Sequence, residues 1–255
     1  MATKTIRDLK NLLVSSEVDY FRHGARTLRT LGGELIWLPG FESLACGCVL
    51  HNVDAGAIVD EIESWLQQVE EKFYSKACAS VRFYFVQGNP QAEQLLTRSG
   101  YRKTKESGLV MKLKAAENVT LADGWTWTEI NTPGGLENRR QLYRQADLGP
   151  DGYPMEGGRF ADFEQIKQET GYMTSFLLYQ NGAPIGTVSL SVENQFARLK
   201  NLFVHPGYRN QGIGKLLVSL LINEALLREA RYLGAYAVTG GPGQHAYRRS
   251  GMTDI

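Results

Sequence analysis

Apolar residues recur along this chain at two periods, and the change between them is cleanest in the second half. Leu216, Leu217, Leu220, Leu221, Ala225 and Leu227 fall at helical spacing, which predicts an amphipathic helix over 214–230. Strands are predicted before and after it, at 198–204 and 233–238, and a short helix at 244–250. Upstream, 125–130, 176–179 and 185–192 read as strands. Asn181-Gly182 between the last two predicts a hairpin, because a type I′ turn needs positive φ at both central positions. Helices are predicted at 136–146 and at 159–170, the latter ended by Gly171, and 149–154 is a loop rich in breakers.

The first half repeats this alternation less clearly. Strands are predicted at 44–50, 81–86 and 109–113, with helices at 57–72 and from Asn89 to Ser99-Gly100-Tyr101. Small and polar residues at 115–122 mark a linker. The chain is therefore expected to be mixed α/β with two domains, 1–115 and 122–255, each a central mixed sheet flanked by helices.

Composition narrows the picture. The 255 residues are 43% hydrophobic, enough for a sizeable core. With 28 Lys+Arg against 27 Asp+Glu, the chain lacks the general positive charge that non-specific nucleic-acid binding needs. The polar start, 1–11, has no signal-peptide core, and no window reaches the ~18 apolar residues of a membrane span. A cytoplasmic protein without membrane or nucleic-acid partners is expected. Cys46, Cys48 and Cys78 are too few for a disulfide framework. Cys46-x-Cys48 is expected on one strand face as core packing, and no metal site is expected.

The chemistry concentrates in Leu202-Phe203-Val204-His205-Pro206-Gly207-Tyr208-Arg209-Asn210-Gln211-Gly212-Ile213-Gly214-Lys215. A strand stops at Pro206-Gly207, and glycines open a helix. The first N–H groups of a helix have no partner within it, and they point outward with the positive end of the macrodipole. Glycines admit a phosphate to that backbone, and Arg209 and Lys215 add positive charge. The spacing fits neither a P-loop nor a dinucleotide fingerprint, which needs a third glycine and an acid about 20 residues on.

Arg209-x-x-Gly212-x-Gly214 behind Phe203-Val204-His205-Pro206 closely resembles the acyl-CoA signature of the GNAT (GCN5-related N-acetyltransferase) superfamily. The order of elements extends that resemblance over 125–251. It implies acetyl-CoA as co-substrate, with pyrophosphate on the amides of Gln211, Gly212, Ile213, Gly214 and Lys215, beside Arg209 and Asn210. It also implies that main-chain groups of the Leu202-Phe203-Val204 strand line the thioester, with the Val204 amide facing the oxyanion. Tyr247, in Ala246-Tyr247-Arg248-Arg249-Ser250-Gly251, matches the helix tyrosine of the family and would donate a proton to the leaving thiolate, since a phenol is protonated at neutral pH.

Glu193 is a candidate general base acting through water. Asp151, Glu156 and Asp162 border the expected acceptor pocket, and His205 is given no chemistry. The reaction implied is acyl transfer to a primary amine of a small molecule or peptide by direct attack; the alternative is a non-catalytic acyl-CoA sensor or scaffold. A homodimer is compatible with either.

Two features depart from the family pattern. Gly240 replaces a frequent Asn, and after Met252 only a stub of strand follows, so either another segment closes the sheet or the sequence is cut short. Residues 81–113 resemble the ending of the same fold, but Leu96 stands at the tyrosine position, and 50–56, with Asp54, has no cradle. The resemblance implies a tandem arrangement with a degenerate first half.

Overall fold

The computed structural model describes residues 4–30, 32–54, 61–78, 80–85, 90–145 and 157–255. In chain order these form α1 (Ile6–Arg22), β1 (Arg26–Thr30), β2 (Gly33–Trp37), β3 (Cys48–His51), α2 (Ile62–Tyr74), α3 (Pro90–Arg98), β4 (Glu106–Lys112) and β5 (Trp125–Glu129). There follow α4 (Pro133–Arg144), α5 (Gly157–Glu169), β6 (Thr174–Gln180), β7 (Ala183–Glu193), β8 (Phe196–Val204), α6 (Ile213–Leu227), β9 (Tyr232–Val238), α7 (Pro242–Arg249) and β10 (Thr253–Asp254).

Local chemistry accounts for many of these bounds. Thr5 and Asp8 form a reciprocal capping box that starts α1, and Thr132 caps α4 ahead of Pro133. Asn181 and Gly182 both have positive φ, 50° and 79°, as the I′ hairpin requires. Asn194 and Gln195 repeat that conformation between β7 and β8.

Seven strands make the larger sheet, in the order β10-β4-β9-β8-β7-β6-β5. Every neighbour pair is antiparallel except β8 with β9. On one face α6 buries Leu217, Leu221 and Ile222 against Val188, Leu199 and Leu233. On the other, α1 lays Leu9 and Leu13 on Val110, Phe196 and Tyr232. The helix comes close: a Cβ on Gly234 would lie 3.0 Å from Leu13 and 2.4 Å from the Phe196 ring.

The smaller sheet, β1-β2-β3, is antiparallel, and Phe83 adds one parallel bridge to Leu50. Trp65, Leu66, Val69 and Phe73 of α2 cover it. The strand expected at 81–86 is thus a single bridge among its described residues, and part of the helix expected at 57–72 lies outside them. Cys46 and Cys48 do not share a face. A turn over 41–47 precedes β3, so Cys46 packs with Leu38 and Phe163 while Cys48 packs with Leu35 and Phe73.

Strand β4 lies on the first-half side of the 115–122 linker, yet it sits in the larger sheet between β9 and β10. It pairs with β9 along its whole length, Glu106 opposite Val238 through Lys112 opposite Tyr232. The short β10 then pairs with Leu109 and Val110. Of the two alternatives another segment closes this sheet, and that segment is β4.

Candidate active site

β8 and β9 diverge. They pair only where Phe196, Ala197 and Arg198 meet Tyr232, Leu233 and Gly234, although both run on for several residues. Beyond Arg198 the side of β8 that faces β9 is unpaired, which opens a wedge in the middle of the sheet.

At the wedge β8 carries a bulge. Ser189 of β7 pairs with Lys200 and Thr187 pairs with Phe203, so Val188 alone spans Asn201 and Leu202. Asn201 sits at φ 54°, a left-handed conformation that Asn tolerates better than most residues. Its side-chain amide donates to the Tyr20 hydroxyl at 3.0 Å and to the Glu164 carboxylate.

Glu164 in turn accepts from the Tyr143 hydroxyl at 2.6 Å and pairs with Arg139 at 2.6 Å, with both partners of that ion pair fully buried. Arg139 also donates to the hydroxyls of Ser175 and Ser189, each at 2.8 Å. Burial raises the Glu164 carboxyl, and Arg139 opposes it. This network clamps the bulged backbone from the α4–α5 side.

At its C-terminal end β8 runs into the cradle. His205 accepts the Gly207 N–H at 3.1 Å and opens a single 3-10 turn, Pro206–Tyr208. Arg209 donates to the Val204 carbonyl at 3.2 Å and stacks its guanidinium over Phe203. Asn210 and Gly212 then take positive φ, 62° and 82°.

Gly212 is the N-cap of α6, and it supplies no capping side chain. The first helical bond of α6 runs from Leu216 to the Gly212 carbonyl, so the N–H groups of Ile213, Gly214 and Lys215 have no partner within the helix. No acid stands in that first turn, and the space beside Gly212 is open for 4 Å. Gly214 is less constrained: a Cβ there would meet Ala246 of α7 at 3.7 Å, an ordinary contact distance. A bound pyrophosphate fits this end of α6, with donors converging, charge of the right sign and no Cβ in the way.

Tyr247 on α7 packs into the core of the larger sheet and is 5% exposed. Burial pushes its phenol up to about 12, so it keeps its proton. Gly240, in place of the family's Asn, has φ 77° and donates its N–H to Gln244 at 2.8 Å, making the turn into α7.

Two expected acids are not brought to the wedge. Glu193 pairs with Phe196 at the hairpin between β7 and β8, roughly 20 Å back along the strand from Leu202 at about 3.3 Å per residue. Its place next to a strand end in sequence carries no information about which end holds the site. Asp162 is held by Arg140 at 2.7 Å. Asp151 and Glu156 lie outside the described residues.

The bulge, the Arg139–Glu164 network and the contributions of α1 were not foreseen. Only Asn201, an αL-tolerant residue inside an apolar strand, could have signalled the first.

The family model described as "Acetyltransferase (GNAT) family" matches residues 140–252. Over that stretch the chain matches a GNAT domain. No curated relative matches. Solved structures match over nearly the whole chain at low identity, which speaks to fold alone. A functionally unknown conserved protein from Staphylococcus epidermidis has a TM-score of 0.67 at 13% identity, covering 93% of each chain. A GCN5-related N-acetyltransferase from Kribbella flavida gives 0.61 at 13%, covering 96% of this chain and 91% of its own. A tandem GNAT protein from the clavulanic acid biosynthesis pathway gives 0.56 at 12%, covering 96% and 92%. The matched GNAT domain spans the bulge, the cradle and Tyr247, while β4, which completes its sheet, lies outside the matched residues. Among the described residues no three His, Cys, Asp or Glu side chains gather as metal ligands would, and no helix is long and apolar enough to cross a membrane.

Proposed function

We propose that this protein moves an acyl group, acetyl in the first instance, from its coenzyme A thioester to a primary amine of a small molecule or peptide, by direct attack in a ternary complex. The observation that carries the proposal is the continuity of wedge and cradle: the unpaired part of β8 leads into an α6 N-terminus that is uncapped, free of acids and opened by Gly212. Pyrophosphate would lie on the amides of Gln211, Gly212, Ile213, Gly214 and Lys215, beside Arg209 and Asn210. The pantetheine arm would enter the wedge along Leu202, Phe203 and Val204. There the bulged backbone offers N–H groups to the carbonyl oxygen as it gains charge. Tyr247 would protonate the departing thiolate.

The family match over 140–252 supports acyl transfer in general. The first half, 1–115, is read as a related domain without a cradle, and 122–255 as the acyl-CoA domain; near-complete coverage by a tandem GNAT structure supports this division. Titration calorimetry with acetyl-CoA, followed by thiol release across a panel of amines, tests the reading. Absent binding overturns it. Binding without thiol release for any amine leaves a non-catalytic acyl-CoA binder instead.

A further inference from the structure

Strand β4 reaches the GNAT sheet from the first half of the chain, and its register fixes which side chains face the wedge. Gly108 lies opposite Tyr236, and a Cβ on it would stand 2.9 Å from Leu13 of α1. Gly108 therefore faces α1. Side chains two apart on a strand share a face, so Glu106, opposite Val238, faces α1 as well. The β8–β9 ladder ends at Arg198 opposite Gly234. Four residues further on (198 to 202 and 234 to 238), β8 has reached its bulge and β9 has reached Val238. Glu106 thus stands level with the bulge, on the α1 side of the wedge.

The charges around it come from four elements. Arg198 and Lys200 of β8, Arg82 ahead of α3 and Glu17 of α1 all act on Glu106, and Tyr236 of β9 feels its charge. Glu17 is already engaged, with Arg198 at 2.6 Å and Lys200 at 2.8 Å. That also occupies Lys200, the other group here able to exchange a proton. The Glu106 side chain has no hydrogen-bond or ion-pair partner among the described residues. Solvent reaches it, yet protein stands close enough around it that burial, seconded by Glu17, raises its carboxyl against the pull of the three cations.

We propose that Glu106 is the general base of the GNAT site, taking a proton from the acceptor's ammonium, so that the first half supplies a catalytic group to the second. This rests on the acyl-transfer reading above. A primary amine at neutral pH arrives as ammonium and has no lone pair to attack with. Glu106 accepts one N–H proton. The freed lone pair forms the C–N bond to the thioester carbonyl, the C–S bond breaks, and the thiolate leaves with that electron pair. Tyr247 protonates the sulfur and regains a proton from the nitrogen of the adduct. The products are an amide, a free thiol and one proton, which Glu106 passes to solvent.

The test is Glu106→Gln, with Glu106→Asp as the conservative partner. Acetyl-CoA affinity is measured by calorimetry. Thiol release is measured from pH 6.5 to 9.5 with putrescine, butylamine and a lysine peptide, taking the fastest acceptor. The Gln variant is expected to bind acetyl-CoA within twofold of wild type and to lose about 100-fold in kcat/KM near pH 7. That deficit should shrink to a few-fold at pH 9.5, where the neutral fraction of an amine of pKa about 10.4 is some hundreds of times larger than at pH 7, and Asp should restore part of the rate. A deficit equal at every pH, or no deficit, overturns the role of Glu106 while leaving acyl transfer standing. Wild type that binds acetyl-CoA but releases no thiol with any amine overturns the acyl-transfer reading and this role with it.

Discussion

Glu17 of α1 and Arg198 of β8 meet at 2.6 Å although 181 residues separate them in the chain, and both are buried. Lys200 adds a second cation at 2.8 Å. Burial opposes the Glu17 charge, but Lys200 and Arg198 outweigh it and hold the carboxyl down at about 2. Because the folded value lies below the unfolded one, the unfolded chain binds the extra proton, and this contribution is complete above the unfolded carboxylate range. It is lost as pH falls from roughly 5 towards 2. Urea midpoints of wild type should drop through that window, and those of Glu17→Gln should drop less. At pH 7 Glu17→Ala leaves two buried cations uncompensated and should cost about 3–5 kcal/mol. A loss under 1 kcal/mol would show the cluster to be solvated.

Lys167 titrates in the opposite range. It is buried and donates to the carbonyls of Phe21 and His23 at the end of α1. Burial lowers its ammonium to about 8. Between about 8 and the unfolded value near 10.4 the unfolded chain binds more protons, so this site makes stability rise with pH there. Lys167→Met should flatten that rise in urea titrations between pH 8 and 10; an unchanged slope would remove Lys167 as its source.

What the sequence discloses follows the range of each interaction. The Asn181-Gly182 hairpin, the helix at Ile213–Leu227 and the glycine cradle are all set by residues within a few positions of one another, and they lie where patterning puts them. The destination of β4 is not local. Its Gly108-Leu109-Val110 run says strand, but no feature of that run says it will pair with β9, more than 120 residues on. The Glu17 cluster is hidden for the same reason, since a carboxylate at helical spacing in α1 reads as a solvated face until its partners are known. The bulge at Asn201 depends on Val188 spanning two residues across the ladder, a relation between strands that a single strand does not carry.

Asn201 separates backbone conformation from side-chain clamping. Asn201→Gly keeps the positive φ without strain but leaves Glu164 and Tyr20 without its amide. Asn201→Ala adds the left-handed penalty of about 1–2 kcal/mol. Both variants should bind acetyl-CoA, since the proposed pyrophosphate site lies at the start of α6. Both should turn over at least tenfold more slowly because the bulged N–H groups lose their fixed aim. Ala should in addition unfold at lower urea than Gly. Wild-type turnover in the Gly variant would mean that the clamp does not set the oxyanion geometry.

The cradle glycines should fail differently. Gly212 holds φ 82° with open space beside it, whereas Gly214 faces Ala246 on α7. Gly212→Glu brings a charge and strain to the pyrophosphate position and should abolish acetyl-CoA binding in calorimetry. Gly214→Ala, with 3.7 Å to Ala246, should fold normally and bind within a few-fold of wild type. Tyr247→Phe should leave binding intact and lower thiol release by tenfold or more. Equal rates would reduce Tyr247 to a core residue. A Gly212→Glu protein that still binds would move the pyrophosphate away from α6.

The insertion of β4 makes one half of the chain answer for the other. Val110 is 4% exposed, pairs with Gly234 on one side and with Thr253 on the other, and packs in the cluster beneath α1. Proline there removes a ladder donor and forces its ring between two paired neighbours, a change that central strands do not accommodate. The β9 strand, which forms the far wall of the wedge, would lose its partner. Val110→Pro should therefore cost at least ~3 kcal/mol and abolish acetyl-CoA binding, although the substitution lies about 100 residues before Gly212. Val110→Thr, which keeps the N–H and the β-branched shape, should retain binding. If Val110→Pro binds acetyl-CoA with wild-type affinity, β4 is dispensable to the second half, and the two halves fold as independent units.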